Sequence, residues 1–179
     1  MRNLSGREVI IMKDTNQLLG ILNTLMIANN YPVAPPVAQN VMADLIRKAP
    51  PAEWDASKKG VYTDIQRLMV NRLDYSELFS TMDGLEYNGL TLYSMVQAEN
   101  GDPVWSNIYI RNFETRDNEI YVDPNLTDKV LIGEDGMSVF AYSLADDCFQ
   151  IRDKVSTDYV IESHAYFNSF LSALINTVN

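Results

Sequence analysis

The chain has 179 residues, 46% of them apolar and 21% charged, which excludes a disordered tract and predicts a single domain that buries a core without disulfide or metal staples. Its formal net charge of −10 is unevenly spread: residues 1–82 hold 9 basic and 8 acidic side chains, whereas residues 83–179 hold 5 and 16. A field of that sign repels nucleic-acid phosphate and anionic membrane and attracts a basic partner or a metal cation, although solubility alone would also account for it.

The single cysteine, Cys148, has no second cysteine for an intramolecular disulfide and no Cys or His cluster beside it. The apolar run "VIIM" at residues 9–12 is too short for a signal-peptide core, and no stretch is long enough to span a membrane. A cytoplasmic protein without a cofactor is expected.

In chain order, Thr15 is placed to cap a first helix whose stripe is Leu18, Leu19, Leu22, Leu25 and Met26, stopped by "NNYP" at 29–32. The prolines of "APP" at 34–36 fit a helix start, with Val37, Val41, Leu45 and Ile46 on one face until "APP" recurs at 49–51. From Val61, the residues Ile65, Leu68 and Met69 predict a third helix. "DYSE" at 74–77 has the form of a capping box opening a fourth, with Tyr75, Leu78, Phe79 and Met82 inward. At Gly89 the period changes, and residues 90–96 alternate as a strand closed by a turn at "ENGDP", 99–103. "VWSNIYIRNFETRD" at 104–117 is β-rich by composition, yet Trp105, Ile108, Tyr109 and Phe113 form a helical stripe and predict a helix. Residues 129–132, 137–144 and 148–151 predict antiparallel hairpins around "GEDG" and "ADD". A closing helix carries Phe167, Phe170, Leu171, Leu174, Ile175 and Val178. Helices first, then a central antiparallel sheet of hairpins and a C-terminal helix, make an α+β fold.

Chemistry is weakly signalled. His164 is the sole histidine, so any Ser-His-Asp or Cys-His relay depends on it, and a capping or surface role suits it better. Carboxylates beside Cys148 suppress its thiolate. Glu134 with Asp135, Asp146 with Asp147, and Asp153 could hold a hard cation or act as acid and base, but they lack calcium-loop spacing and read as solvated turn formers. "GEDG" puts negative charge where a phosphate would sit and leads into a strand, so it is no phosphate loop. Trp105, Tyr109, Tyr121 and Tyr142 lack the interleaved Lys and Arg of a nucleic-acid platform and read as core.

As a unit, "DYSELFSTMDGLEYNGLTLYSM" at 74–95 resembles the heart of the SUKH superfamily, the Smi/Knr-like proteins, and within it the YrhA-type branch. The similarity continues through "KVLIGEDGMSVFAYSLADDCFQIRD" at 129–153 and "SFLSALI" at 169–175. Residues 1–58 fall outside it, as a helical extension. The resemblance implies an α+β fold with a central antiparallel sheet and a non-enzymatic immunity role, in which the protein binds and neutralises a basic protein toxin, many such toxins being nucleases. On that basis the expected contacts are Asp83, Glu86, Tyr87, Asn88, Glu134, Asp135, Asp146 and Asp147, on an acidic face made of the sheet and its hairpin tips. The alternative is a small-ligand or cell-wall-associated adaptor with a pocket of Tyr93, Trp105 and Tyr142. A carboxylate metallohydrolase is a more distant third. Gly84 and Gly89 are expected to serve the backbone, Gly84 ending a helix in a left-handed turn and Gly89 bending the chain into the sheet.

Overall fold

The computed structural model describes residues 13–96, 106–117 and 122–178. Asp14 rather than Thr15 caps α1 (Thr15–Ala28): its carboxylate accepts from Gln17 N at 2.8 Å while the Gln17 side chain accepts from Asp14 N. The proline pair after it does not start a helix. A residue followed by proline is pushed out of the α region, so the chain stays extended until α2 (Gln39–Arg47). That extended stretch is used as a strap, since Val37 N donates to Phe79 O at 2.8 Å and Pro35 O accepts from Asp83 N at 3.2 Å.

Helix α3 (Ala56–Asn71) begins well before Val61, because Asp55 accepts from Lys58 N at 2.8 Å and caps it. After a break at Arg72 comes α4 (Leu73–Thr81), which Asp74 enters in the first turn without capping it. The Asp74 carboxylate instead accepts from Phe167 N at 2.7 Å, holding the start of α6 (Phe167–Val178) 93 residues away.

Among the described residues the sheet has six antiparallel strands in sequence order: β1 (Leu85–Tyr87), β2 (Leu90–Leu92), β3 (Lys129–Glu134), β4 (Ser138–Ser143), β5 (Cys148–Asp153) and β6 (Val160–His164). The strand expected over 90–96 stops at Leu92, and β1 and β6 are additions to the expected hairpins. Asn88 (φ 48°) and Gly89 (φ 84°) form the two-residue turn that joins β1 to β2, the pairing of left-handed residues that suits the twist of a hairpin. Gly84, at φ 71°, turns the chain from α4 into β1. "GEDG" is not wholly a turn: Gly133 and Glu134 belong to β3, and the register shifts between Leu131 and Gly133.

Cross-strand partners share a face, so the pairs Phe140↔Ile151 and Tyr142↔Phe149 lie together on one side of the sheet. Helix α6 covers that side, with Phe170 5.8 Å from Phe140 and 5.6 Å from Phe149, ring to ring, and Phe167 5.1 Å from Tyr75 of α4. Leu18, Leu19, Leu22 and Met26 of α1 belong to the same hydrophobic cluster. Helix α5 (Ile108–Arg116), the helical alternative for its stretch, lies along the part of β3 that β2 is too short to pair. There Asn112 donates to Leu131 O and accepts from Leu131 N, both at 2.8 Å, as a neighbouring strand would.

Candidate functional site

Antiparallel connection sends successive turns to opposite ends of the sheet. Ser138 pairs with Asp153 and Thr91 with Glu134, so the Asn88–Gly89 tip, the β3–β4 turn and the β5–β6 connection all fall at one end. The β4–β5 turn, with Asp146 and Asp147, falls at the other. The eight residues expected on one acidic face are therefore divided, and several are occupied by the fold.

Asp83 is buried, accepting from Met95 N at 2.6 Å and Val96 N at 3.2 Å, and burial raises its carboxyl despite those donors. Tyr87 is buried against Tyr31, its hydroxyl accepting from Asn29. Asn88 is exposed and donates to Val178 O at 3.2 Å, while Glu86 is exposed on β1. Glu134 bridges Lys154 at 2.7 Å and Arg111 at 3.0 Å; burial would raise its carboxyl, but the Lys154 hydrogen bond and the Arg111 charge outweigh it and lower it. Asp135 accepts from the amides of Met137 and Ser138 and shapes its turn. At the far end Asp146 accepts from Ser143 Oγ at 2.8 Å. Asp147 accepts from Tyr142 and pairs with Arg72 at 3.2 Å; the Tyr142 hydrogen bond, then Arg72, lowers its carboxyl.

The pocket expected around Tyr93, Trp105 and Tyr142 is not assembled among the described residues. Tyr93 and Tyr142 are buried, Tyr142 on β4 and Tyr93 just past β2, and Trp105, like Tyr121, lies outside the described residues. An aromatic cleft of about 330 Å³ opens elsewhere, between α2, α3 and α5, walled by Trp54, Tyr62, Tyr109 and Phe113. Its rings meet edge to face, stacked or tilted at 5.7–6.5 Å. Tyr62 falls in the helix expected from Val61 and Trp54 in a stretch given no assignment, so nothing local pointed to them.

Among the described residues chemical groups do not converge. His164 Nε2 lies 3.0 Å from Glu162 and its ring packs 6.0 Å from Phe170, and burial, with Asp146 and Asp147 adding to it, raises the Cys148 thiol. Among the described residues no group of three His, Cys, Asp or Glu side chains is placed to hold a metal ion, and no helix is long and apolar enough to cross a membrane.

What does converge is apolar surface at the first end of the sheet. Met137 (79% exposed) sits in the β3–β4 turn, Val155 (95%) and Tyr159 (64%) in the β5–β6 connection, and Ile161 (45%) on β6. One hydrogen bond ties the two loops, Lys154 N donating to Met137 O at 2.8 Å, and a second closes the β5–β6 connection on itself, Asp153 N donating to Tyr159 O at 3.1 Å. Asp153 also fixes the connection by accepting from Val155 N and Ser156 N. Asp158 and Glu162 stand exposed beside these side chains. Composition had drawn attention to the carboxylates of this half of the chain, while the apolar residues among them were read as strand interior or left unassigned.

No family model matches the chain, and no solved structure matches it. It is similar to the uncharacterized protein YrhA of Escherichia coli K12, with 26% identity over 132 residues that span 74% of this chain and 91% of that protein.

Proposed function

We propose that the chain is a non-enzymatic binding protein of the immunity type, acting in the cytoplasm, which neutralises a basic protein toxin by docking it on the end of the sheet built from the β3–β4 turn, the β5–β6 connection and β6. The observation that carries this role is the exposure of Met137, Val155 and Tyr159 on two hydrogen-bonded loops and of Ile161 at the start of the adjoining β6, with Asp158 and Glu162 exposed next to them in the chain. Large exposed apolar side chains gathered in one place mark interaction surfaces, and the carboxylate border selects a positively charged partner and speeds its approach. The resemblance of residues 74–95 and 129–153 to SUKH proteins agrees with a role in binding. Neither a nucleic acid nor a membrane suits the net charge of −10.

Glu134 and Asp135 are poor probes of this surface, since one bridges two cations and the other forms a turn. The exposed pair Asp158 and Glu162 is the better choice. Co-expression with a toxic C-terminal domain encoded beside this chain's gene is expected to restore growth, and the D158K/E162K double variant to restore it less. Association measured on the purified pair should slow in that variant, by about tenfold at low salt, with the difference shrinking as salt rises. Full toxicity in the presence of the soluble wild-type chain would reject the role.

The aromatic cleft favours a second role, that of an adaptor binding a small planar ligand between Trp54, Tyr62, Tyr109 and Phe113. Quenching of tryptophan fluorescence by such a ligand, lost in Tyr109→Ala, would support it over toxin binding.

A further inference from the structure

β6 ends the sheet, and among the described residues nothing pairs its outer side. Every second residue of such a strand turns both its N–H and its C=O outward, a ready template for another strand. Proteins guard these edges with lysine, proline or a bulge. The sequence of β6, Val-Ile-Glu-Ser-His, has neither lysine nor proline. Its register shift falls at the start of the strand, so Glu162, Ser163 and His164 pair regularly with Ile151, Gln150 and Phe149. The opposite half of the sheet is guarded: β1 is three residues long with Leu85 and Tyr87 buried, and Asn112 closes the exposed stretch of β3.

Charge decides what could add to β6. Glu162 is exposed on it and Asp158 just before it, whereas the nearby cations are engaged: Lys154 pairs with Glu134, Arg152 is buried and donates to Gln150 and to Thr157 O, and His164 meets Glu162. A second copy of this chain is disfavoured, because antiparallel self-pairing centred on Val160–His164 places Glu162 opposite Glu162, and like charges directly opposed across strands destabilise the pair.

We propose that β6 is a strand-addition site, at which an extended segment of a partner protein, alternating lysine or arginine with apolar residues, forms a seventh strand. Its main chain pairs with the outward groups of residues 160–164, its cations meet Glu162 and Asp158, and its apolar side chains cover Ile161 and Tyr159. This rests on the binding role proposed above and names the part of the partner that is held.

The probe is a capped six-residue peptide alternating lysine and valine, compared with a version N-methylated at alternate residues and a version with glutamate for lysine. The lysine peptide is expected to slow hydrogen exchange of the outward amides of residues 160–164. Both altered peptides are expected to bind at least about tenfold more weakly, since each loses several main-chain hydrogen bonds or all of the charge complementarity. Equal binding by the N-methylated peptide, unchanged exchange at 160–164 under saturating peptide, or outward amides already protected in the isolated chain or in a concentration-dependent dimer would overturn the proposal. Growth rescue from the toxin together with any of these results rejects strand addition alone. Capture of the peptide at β6 without rescue rejects the immunity role and leaves the edge as a peptide site.

Discussion

Gly133 is the position at which one absent methyl group sets the packing of the sheet. A Cβ there would fall on the carbonyl oxygen of Thr91 and press to 3.0 Å against Leu92 and Phe140. The first obstacle is backbone of the paired strand β2 and cannot swing aside, so Gly133→Ala is expected to lower stability by about 3 kcal/mol, read as a fall in the urea midpoint at unchanged slope. In the sequence Gly133 looked like one end of a turn, because a glycine beside Glu-Asp-Gly carries a turn signal whether or not another strand lies against it. Asp74 was open to a similar misreading. Its spacing to Glu77 has the form of a cap for the helix it begins, yet its carboxylate holds Arg72 at 3.0 Å and the first amide of α6. Arg72 in turn donates to Ala165 O at 2.7 Å and lies 4.8 Å from the Phe149 ring, so this buried cation ties α4, α6 and the sheet together.

Among the elements, α1 and α6 were plain from their apolar stripes, and the β3–β4–β5 hairpins from alternation broken by turn residues. The extension before residue 58 matched no part of the SUKH pattern, yet α1 buries Leu18, Leu19, Leu22 and Met26 in the cluster that includes Phe79, Phe167 and Phe170. Leu22 is wholly buried, and truncating it leaves a cavity that α4 and α6 cannot close without losing their own contacts. Leu22→Ala is expected to cost about 3 kcal/mol in thermal or urea unfolding, whereas a helix lying loosely on the rest would lose well under 1 kcal/mol. β1 and β6 escaped notice for opposite reasons. β1 is too short for alternation to register, and β6 is mostly exposed, so it lacks the apolar alternation that marks a strand.

For the molecule as a whole, acid should be the condition that unfolds it. Burial raises the carboxyls of Asp74 and Glu134, but hydrogen bonds and charge from Arg72 in one case, and from Lys154 and Arg111 in the other, outweigh it and lower both. A carboxyl lowered in the folded state adds stability above its unfolded value, near pH 4, and surrenders it as pH falls through the folded value. Asp83, raised by burial, works in the opposite sense and offsets part of that loss. Unfolding free energy is therefore expected to hold level from pH 7 to about pH 5 and to drop below about pH 4. Asp74→Asn should start from a lower plateau and fall less steeply; an acid limb as steep as the wild type would remove Asp74 from this account.

The sequence by itself determined the α+β class, the principal helices and the central hairpins, because hydrophobic period and turn chemistry act between residues a few positions apart. It also gave the acid count of each half, though not where the acids stand. Only the tertiary structure decided that Glu134 with Asp135 and Asp146 with Asp147 lie at opposite ends of the sheet, that Asp83 and Tyr87 are interior, and that Met137, Val155, Tyr159 and Ile161 share one end. The reason is connectivity: each antiparallel strand reverses the chain, so turns one strand apart are separated by a strand length while turns two strands apart become neighbours.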